Sequence, residues 1–328
     1  MQQGTPGTAD GTGGSAFEWA VFVALGTMWG SSYLFIKFAV ETVTPFTLVA
    51  LRLAIGAVLL GIVVLATRPA FPRTGRMYGH LLVLSIFSVV LPFSLITWAE
   101  QSAPSSMAAI LTSTVPLFTI VIAAVALHDE RITVNRIIGL VIGFAGIVIL
   151  TGGPSGGGEM LPQLALLGAA ASYGVGAVYG RRTVTGLAPI VPAASQVVFA
   201  CGISTLLALV LENPFDLSYP PAAIGSLLWL GVFGSGLAYL AFFRLLRTWG
   251  ATRTSLVAYV MPVVGIALGA LVGEPVTAAM LIGTLLVIGG IGIVNLRTTV
   301  PPRLRHVRDP ERSSSAAEPD ARDARAAD

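Results

Sequence analysis

Residues 130–139 read ERITVNRIIG, and residues 274–283 read EPVTAAMLIG. Glu130, Thr133, Ile138 and Gly139 meet Glu274, Thr277, Ile282 and Gly283 at a displacement of 144 residues. The same displacement carries Trp29-Gly30 onto Tyr173-Gly174, Lys37 onto Arg181 and Pro45 onto Pro189. Between these landmarks it widens to 146, which pairs Gly79 with Gly225, Phe87 with Phe233 and Pro116 with Pro262. The chain is therefore a duplication, and the fold must be built from two copies of one unit.

The solvent of that unit follows from composition. Of 328 residues, 55% are hydrophobic and 11% charged, and the mean hydropathy is +0.83. A soluble domain carries roughly a quarter of its residues as Asp, Glu, Lys and Arg. This chain cannot clothe a globular surface, so lipid must surround it. Apolar runs of roughly 20 residues, the length a bilayer demands, centre on Trp29, Ile55, Val89, Pro116, Gly143, Tyr173, Phe199, Phe233, Met261 and Ile288. Breaks such as RPAFPRTGR, LHDERITVNR, GGPSGGGEM and ENPFDLSYPP separate them. The fold class expected is an all-α integral membrane protein, ten transmembrane helices arranged as two inverted five-helix repeats. Inversion follows because an odd number of spans returns each copy to the membrane upside down. Transporters recurrently use such repeats, with a substrate site near the midplane between them.

Arginine sets the expected orientation, since short cytoplasmic loops collect positive charge. Arg68, Arg73 and Arg76 follow the second span, Arg131 and Arg136 the fourth, and Arg181 and Arg182 the sixth. Arg244, Arg247 and Arg253 lie around the connection after the eighth, and Arg297, Arg303 and Arg305 follow the tenth. The odd-numbered connections contain no Lys or Arg in the loops proper. Both termini are then cytoplasmic, in a bacterial plasma (inner) membrane. The expected division is 1–16 as a disordered N-terminus, 17–151 as repeat one, 152–162 as an external glycine-rich linker, 163–296 as repeat two, and 297–328 as a disordered, charged tail.

The Trp-Gly opening, the segment PFTLVALRLA and the run SSMAAILTSTVPLFTIVIAAVALHDERIT, followed by GLVIGFAGIVIL and by a second copy, carry a family likeness. From Trp19 to Asn295 the chain resembles the EamA family of the drug/metabolite transporter superfamily. The resemblance implies ten helices in two repeats and export of amino acids or other small metabolites, without singling out one substrate.

The residues that could carry chemistry are few. Arg52 lies eight residues past Thr44, roughly 12 Å into a hydrocarbon core about 30 Å thick. A charge there costs on the order of 2.5–3.5 kcal/mol unless it is paired or faces water. It either binds backbone carbonyls freed beside a kink or holds a substrate carboxylate through its planar fork. Its counterpart in repeat two is the neutral Gln196. Lys37, the single lysine, sits about one turn from Glu41 and reads either as a snorkelling anchor or as a mouth charge for anionic and zwitterionic solutes. Pro116 and Pro262 fall mid-span in equivalent helices and should kink them beside a cavity, with Ser113 before one and Tyr259 before the other. Pro92 aligns with Ala238 and reads as a kink private to repeat one. Ser32, Trp29, Tyr173 and Tyr239 complete a candidate substrate-binding set, the aromatics standing away from the interfacial belts where Trp and Tyr collect. Gly139-x-x-x-Gly143 and Gly265-x-x-x-Gly269-x-x-x-Gly273 are close-packing faces, within a monomer or across a homodimer. Glu130 and Glu274 are placed to start the fifth and tenth helices.

Some chemistry is absent. Cys201 is the single cysteine, and His80, His128 and His306 are scattered, so no metal or disulfide framework is expected. GVGAVYG lacks the strand and spacing of a dinucleotide site, and no cofactor is implied. No basic, aromatic-interleaved face suggests nucleic acid. No Asp or Glu falls deep in a span, where proton-coupled pumps usually keep one; Glu100, at the end of the third, comes nearest. The partners are a small-molecule substrate and the bilayer. The reading is a secondary carrier or facilitator exporting amino acids or related amphipathic metabolites through a central cavity. Its rivals are a non-transporting sensor or structural membrane protein and an intramembrane enzyme, which would need a base beside a serine.

Overall fold

The computed structural model describes residues 16–126, 133–152, 160–216 and 218–295. Among the described residues the bundle has ten apolar helices, the first eight long and apolar enough to cross a membrane and the last two shorter: α1 (Ala16–Ala39), α2 (Pro45–Thr67), α3 (Gly75–Ala99), α4 (Ser105–Ala126), α5 (Val134–Thr151), α6 (Met160–Thr183), α7 (Ile190–Leu211), α8 (Pro221–Gly250), α9 (Val257–Leu271) and α10 (Ala278–Asn295). Among the described residues there is no strand. Each of the ten sequence-expected centres falls inside one of these helices. At 1.5 Å per residue, the 24 residues of α1 reach about 36 Å, enough for the hydrocarbon core. Both termini, the glycine-rich linker, Glu130, Arg131 and His128 lie outside the described residues.

Local chemistry sets the helix ends. Pro45 opens α2, where its missing N–H costs nothing. Thr133 accepts from the Arg136 amide to begin α5, and Gly152, at φ 73°, ends it. Thr277 performs the same service for the Met280 amide at the start of α10. Outward faces carry Leu65, Val125, Val210, Leu271 and Leu285, all exposed, as lipid contact requires.

The packing is symmetric in the way the duplication demands. α2 packs on α7, α4 on α9 and α5 on α10, each pairing equivalent helices. The contacts of α1 with α9 and α8 are mirrored by those of α6 with α4 and α3, and α2 with α8 by α7 with α3. Nearly all of these principal contacts join one repeat to the other, so the halves interlock as one compact unit. The Trp-Gly and Tyr-Gly landmarks explain part of this. A Cβ on Gly30 would stand 2.7 Å from Val264 and 3.1 Å from the Met261 carbonyl of α9. One on Gly174 would stand 3.1 Å from the Thr119 amide of α4. Only glycine permits these approaches.

Two kinks differ from expectation. The irregularity at Pro92 is not private to repeat one: α3 runs as π-helix over Ile86–Val90, immediately before Pro92, and α8 does so over Leu230–Leu237. Proline supplies the missing N–H in one copy, while Gly231, Gly234 and Gly236 relax the backbone in the other. In α4 the helix breaks at Ser113–Thr114 and restarts at Val115 with Pro116 in its first turn. In α9 the break falls earlier, at Ser255–Leu256, and the helix runs on through Pro262.

Candidate functional site

Arg52 is the centre of one residue group that the fold gathers from both repeats. It is 4% exposed. Its Nε donates to Ser235 Oγ at 3.2 Å, on the π-helical stretch of α8. Its guanidinium carbon stands 4.4 Å from the centroid of the Phe93 ring on α3, a cation–π contact. Tyr173, Tyr239, Glu100 and Tyr33 are the ionisable groups whose fields reach it. Among the described residues no carboxylate lies within ion-pair distance, and its two amino groups have no hydrogen-bond partner.

Glycine makes the approach to Ser235 possible. A Cβ on Gly234 would lie 2.9 Å from Ser32 Oγ and 3.1 Å from an Arg52 amino nitrogen. Ser32 and Arg52 therefore crowd the same point on α8. On the other side Gly56, one turn past Arg52 on α2, would place a Cβ 2.9 Å from the Ser235 Cβ. The helix face that carries Arg52 is thus pressed against the π stretch by absent side chains.

The remaining expected residues are distributed. Tyr239, like Phe93, packs on the cluster of Val49, Val90 and Val197, and Tyr173 on the large core that holds Tyr33; both are half-buried. Trp29 instead packs against Phe242, 5.5 Å between ring centroids, in the α1–α8 cluster. Tyr259 borders the large core that holds Tyr33. Gln196 Nε2 donates to Pro192 O of its own helix at 3.0 Å and does not copy Arg52. Ser32 and Ser113 bond their own helices, at Met28 O and Ile110 O. Lys37 points inward: its ammonium donates to the carbonyls of Glu100, 2.8 Å, and Ala103, 3.1 Å.

Sequence reasoning missed Ser235, Phe93 and Tyr33. Tyr33 shares a 2.6 Å hydrogen bond with Thr112 of α4 and follows Trp29 by one helical turn, a spacing that was readable. Ser235 and Phe93 carry no such signal. Glu274 also departs from expectation. It does not cap its own helix but accepts from the Ser105 and Ser106 amides, at 2.7 and 2.9 Å, and from Ser106 Oγ, closing the N-terminus of α4. Glu212 does the same for α2 through the Phe46 and Thr47 amides. Gly139 and Gly143 of α5 and Gly265 and Gly269 of α9 pack within the monomer, on α10, Leu117, Ala109 and Ser106, whereas Gly273 faces open space.

A groove of about 470 Å³ lies elsewhere, between α2, α3 and α7, lined by Phe46, Val90, Leu91, Trp98 and Leu207. It is apolar and is not the Arg52 site.

Apolar helices interlocked as two inverted repeats define a multi-pass membrane protein. Comparison with known proteins gives this class its family. Residues 18–152 and 160–296 each match the EamA-like transporter family, and the chain belongs to it. Similar proteins include an uncharacterized transporter of Archaeoglobus fulgidus, 28% identical over 84% of this chain and 98% of that protein. The uncharacterized inner membrane transporter YedA of Escherichia coli K12 is 30% identical over 75% and 79%. The uncharacterized transporter YvbV of Bacillus subtilis is 27% identical over 83% and 89%. A crystal structure aligns with a TM-score of 0.63 at 21% identity, covering 86% of this chain and 99% of that one, which speaks for the fold alone.

Proposed function

We propose that the protein is a secondary carrier or facilitator that exports amino acids or related carboxylate-bearing amphipathic metabolites across a bacterial inner membrane. One observation carries the reading: Arg52 is buried mid-span, braced by Ser235 and Phe93, with its two amino groups unpartnered among the described residues. A guanidinium so placed offers two parallel N–H donors to a carboxylate, a charge-assisted pair stronger than a neutral hydrogen bond. Tyr33, Tyr173 and Tyr239 supply flat surfaces of mixed character for the rest of such a solute. The names of YedA and YvbV support the transporter class and leave the solute open.

The experiment uses purified protein in liposomes, with labelled zwitterionic amino acids set against the matching amines that lack the carboxylate. Uptake should favour the carboxylate-bearing compound. Arg52→Gln copies the Gln196 side chain and should weaken apparent affinity by about ten- to a hundredfold, the loss of about 1.5–3 kcal/mol. Arg52→Lys should rescue poorly, because a point charge does not reproduce the fork. Unchanged affinity accompanied by a large loss of thermal stability would make Arg52 structural and end this reading.

A further inference from the structure

Glu100 follows the last residue of α3 and is 0% exposed. Among the described residues neither carboxylate oxygen has a hydrogen-bond partner. The other acidic side chains drawn into the fold are satisfied: Glu18 by Arg244 and Thr248, Glu212 by the start of α2, Glu274 by the start of α4. An ionised carboxylate taken out of water without a partner is far costlier than the neutral acid.

The groups that face Glu100 are Lys37 and Tyr33 of α1, Arg52 of α2, and Glu274 of the connection between α9 and α10. Tyr173 of α6 joins through Tyr33 and Arg52. Lys37 is the cation that acts most strongly on Glu100, yet its ammonium is engaged with the backbone carbonyls of Glu100 and Ala103. Those carbonyls belong to the turn that leads into α4, and Glu274 holds the next two amides of that turn, Ser105 and Ser106. One end of the bundle is thus latched: Lys37 ties α1 to the α3–α4 turn, and Glu274 ties the same turn to α9 and α10.

We propose that Glu100 is a proton-binding site that sets this latch. With the acid neutral, Lys37 stays on the two carbonyls. On deprotonation the O–H bond breaks, the proton leaves to water and its electron pair remains on the carboxylate. The ammonium of Lys37 then turns to the carboxylate and gives up the carbonyls, which loosens the turn ahead of α4. The inference rests on the reading of the protein as a carrier, where a proton bound at one end of the bundle can be exchanged against movement of a solute. Burial pushes the Glu100 carboxyl up, and Lys37 pulls it the other way, which makes the balance between them adjustable.

The test needs no solute. Infrared difference spectra of the purified full-length protein, recorded against pH in heavy water, should show a protonated-carboxyl stretch at neutral pH that disappears on raising the pH. Glu100→Gln should lack it. Absence of the band in the wild-type protein, or its survival in Glu100→Gln, would overturn the proposal. Lys37→Gln keeps Glu100 and should move the titration to higher pH; an unmoved titration would also overturn it, and this arm decides if Glu100→Gln does not fold. Hydrogen exchange in the turn spanning residues 100–106, corrected for intrinsic rates, should quicken as the band disappears and should stay slow in Glu100→Gln. Exchange that ignores the titration would leave no latch. Should liposome uptake of amino acids fail while the band titrates as described, the solute reading falls and the proton site stands.

Discussion

Gly139 and Gly290 bring α5 and α10 into backbone contact: a Cβ on Gly290 would stand 2.6 Å from the Gly139 carbonyl oxygen and 2.6 Å from the Gly143 amide. No rotamer can relieve a collision with backbone. Gly290→Ala should therefore cost about 1–3 kcal/mol by overpacking, read as a lower midpoint of thermal unfolding in detergent. Gly289 and Gly292, on the same helix, have open space where a Cβ would stand. Their alanine variants should be neutral or gain up to about 1 kcal/mol from helix propensity.

Glu274 joins the two repeats through the start of α4, and its protonation should show in stability. Burial opposes its ionisation, but the hydrogen bonds from Ser106 and Ser105 outweigh this and hold the carboxyl below its ordinary value. A depressed folded-state value means the stabilisation is whole above the unfolded carboxyl value, about 4.3. It is lost as the pH falls through the folded value. Glu274→Gln should lower stability by about 1.5–3 kcal/mol at neutral pH. The gap between variant and wild type should close on acidification below about pH 4, in unfolding midpoints measured across pH.

Gly234 and Gly231 separate site from scaffold within one π-helical stretch. A Cβ at 234 meets the flexible ends of Ser32 and Arg52, whereas one at 231 meets the Ile55 Cβ at 2.5 Å. Gly234→Ala should displace the guanidinium and weaken carboxylate binding by about tenfold, roughly 1.4 kcal/mol, with a smaller change in unfolding midpoint. Gly231→Ala should do the reverse. Affinity in liposomes and thermal unfolding, taken together on both variants, check the split.

The distribution of arginines predicts cytoplasmic termini, which labelling can test. In a Cys201→Ala background, a cysteine at Ser155 should react with an impermeant thiol reagent in intact cells and one at Thr74 should not. Labelling of position 74 alone would invert the topology.

How much was legible varies by residue. Ten spans, their order and their duplication are one-dimensional facts, because apolar length and the spacing of Gly, Pro and Glu landmarks survive without knowledge of neighbours. Arg52 was legible as well, since a charge in the middle of α2 violates the solvent around it. Its partners were not: Ser235 is 183 residues away and, like Phe93, is an ordinary residue in an apolar span. The contact made by Gln196, the positional counterpart of Arg52, was illegible for a related reason. Duplication preserves position but not partner, and Gln196 satisfies itself on Pro192.

By itself the sequence determined the class, an inverted duplication of five helices in lipid, because the bilayer imposes a length and a polarity on each segment independently. Only the tertiary structure decided what the charged residues do. Lys37 and Glu100 stand 63 residues apart and both look like ends of spans facing water. Packing of α1 against the α3–α4 turn removes that water, so the lysine takes backbone carbonyls and the glutamate is left buried, its carboxylate without a hydrogen-bond partner among the described residues. Which polar groups lose their solvent is a property of neighbours brought together by folding, and no local pattern encodes it.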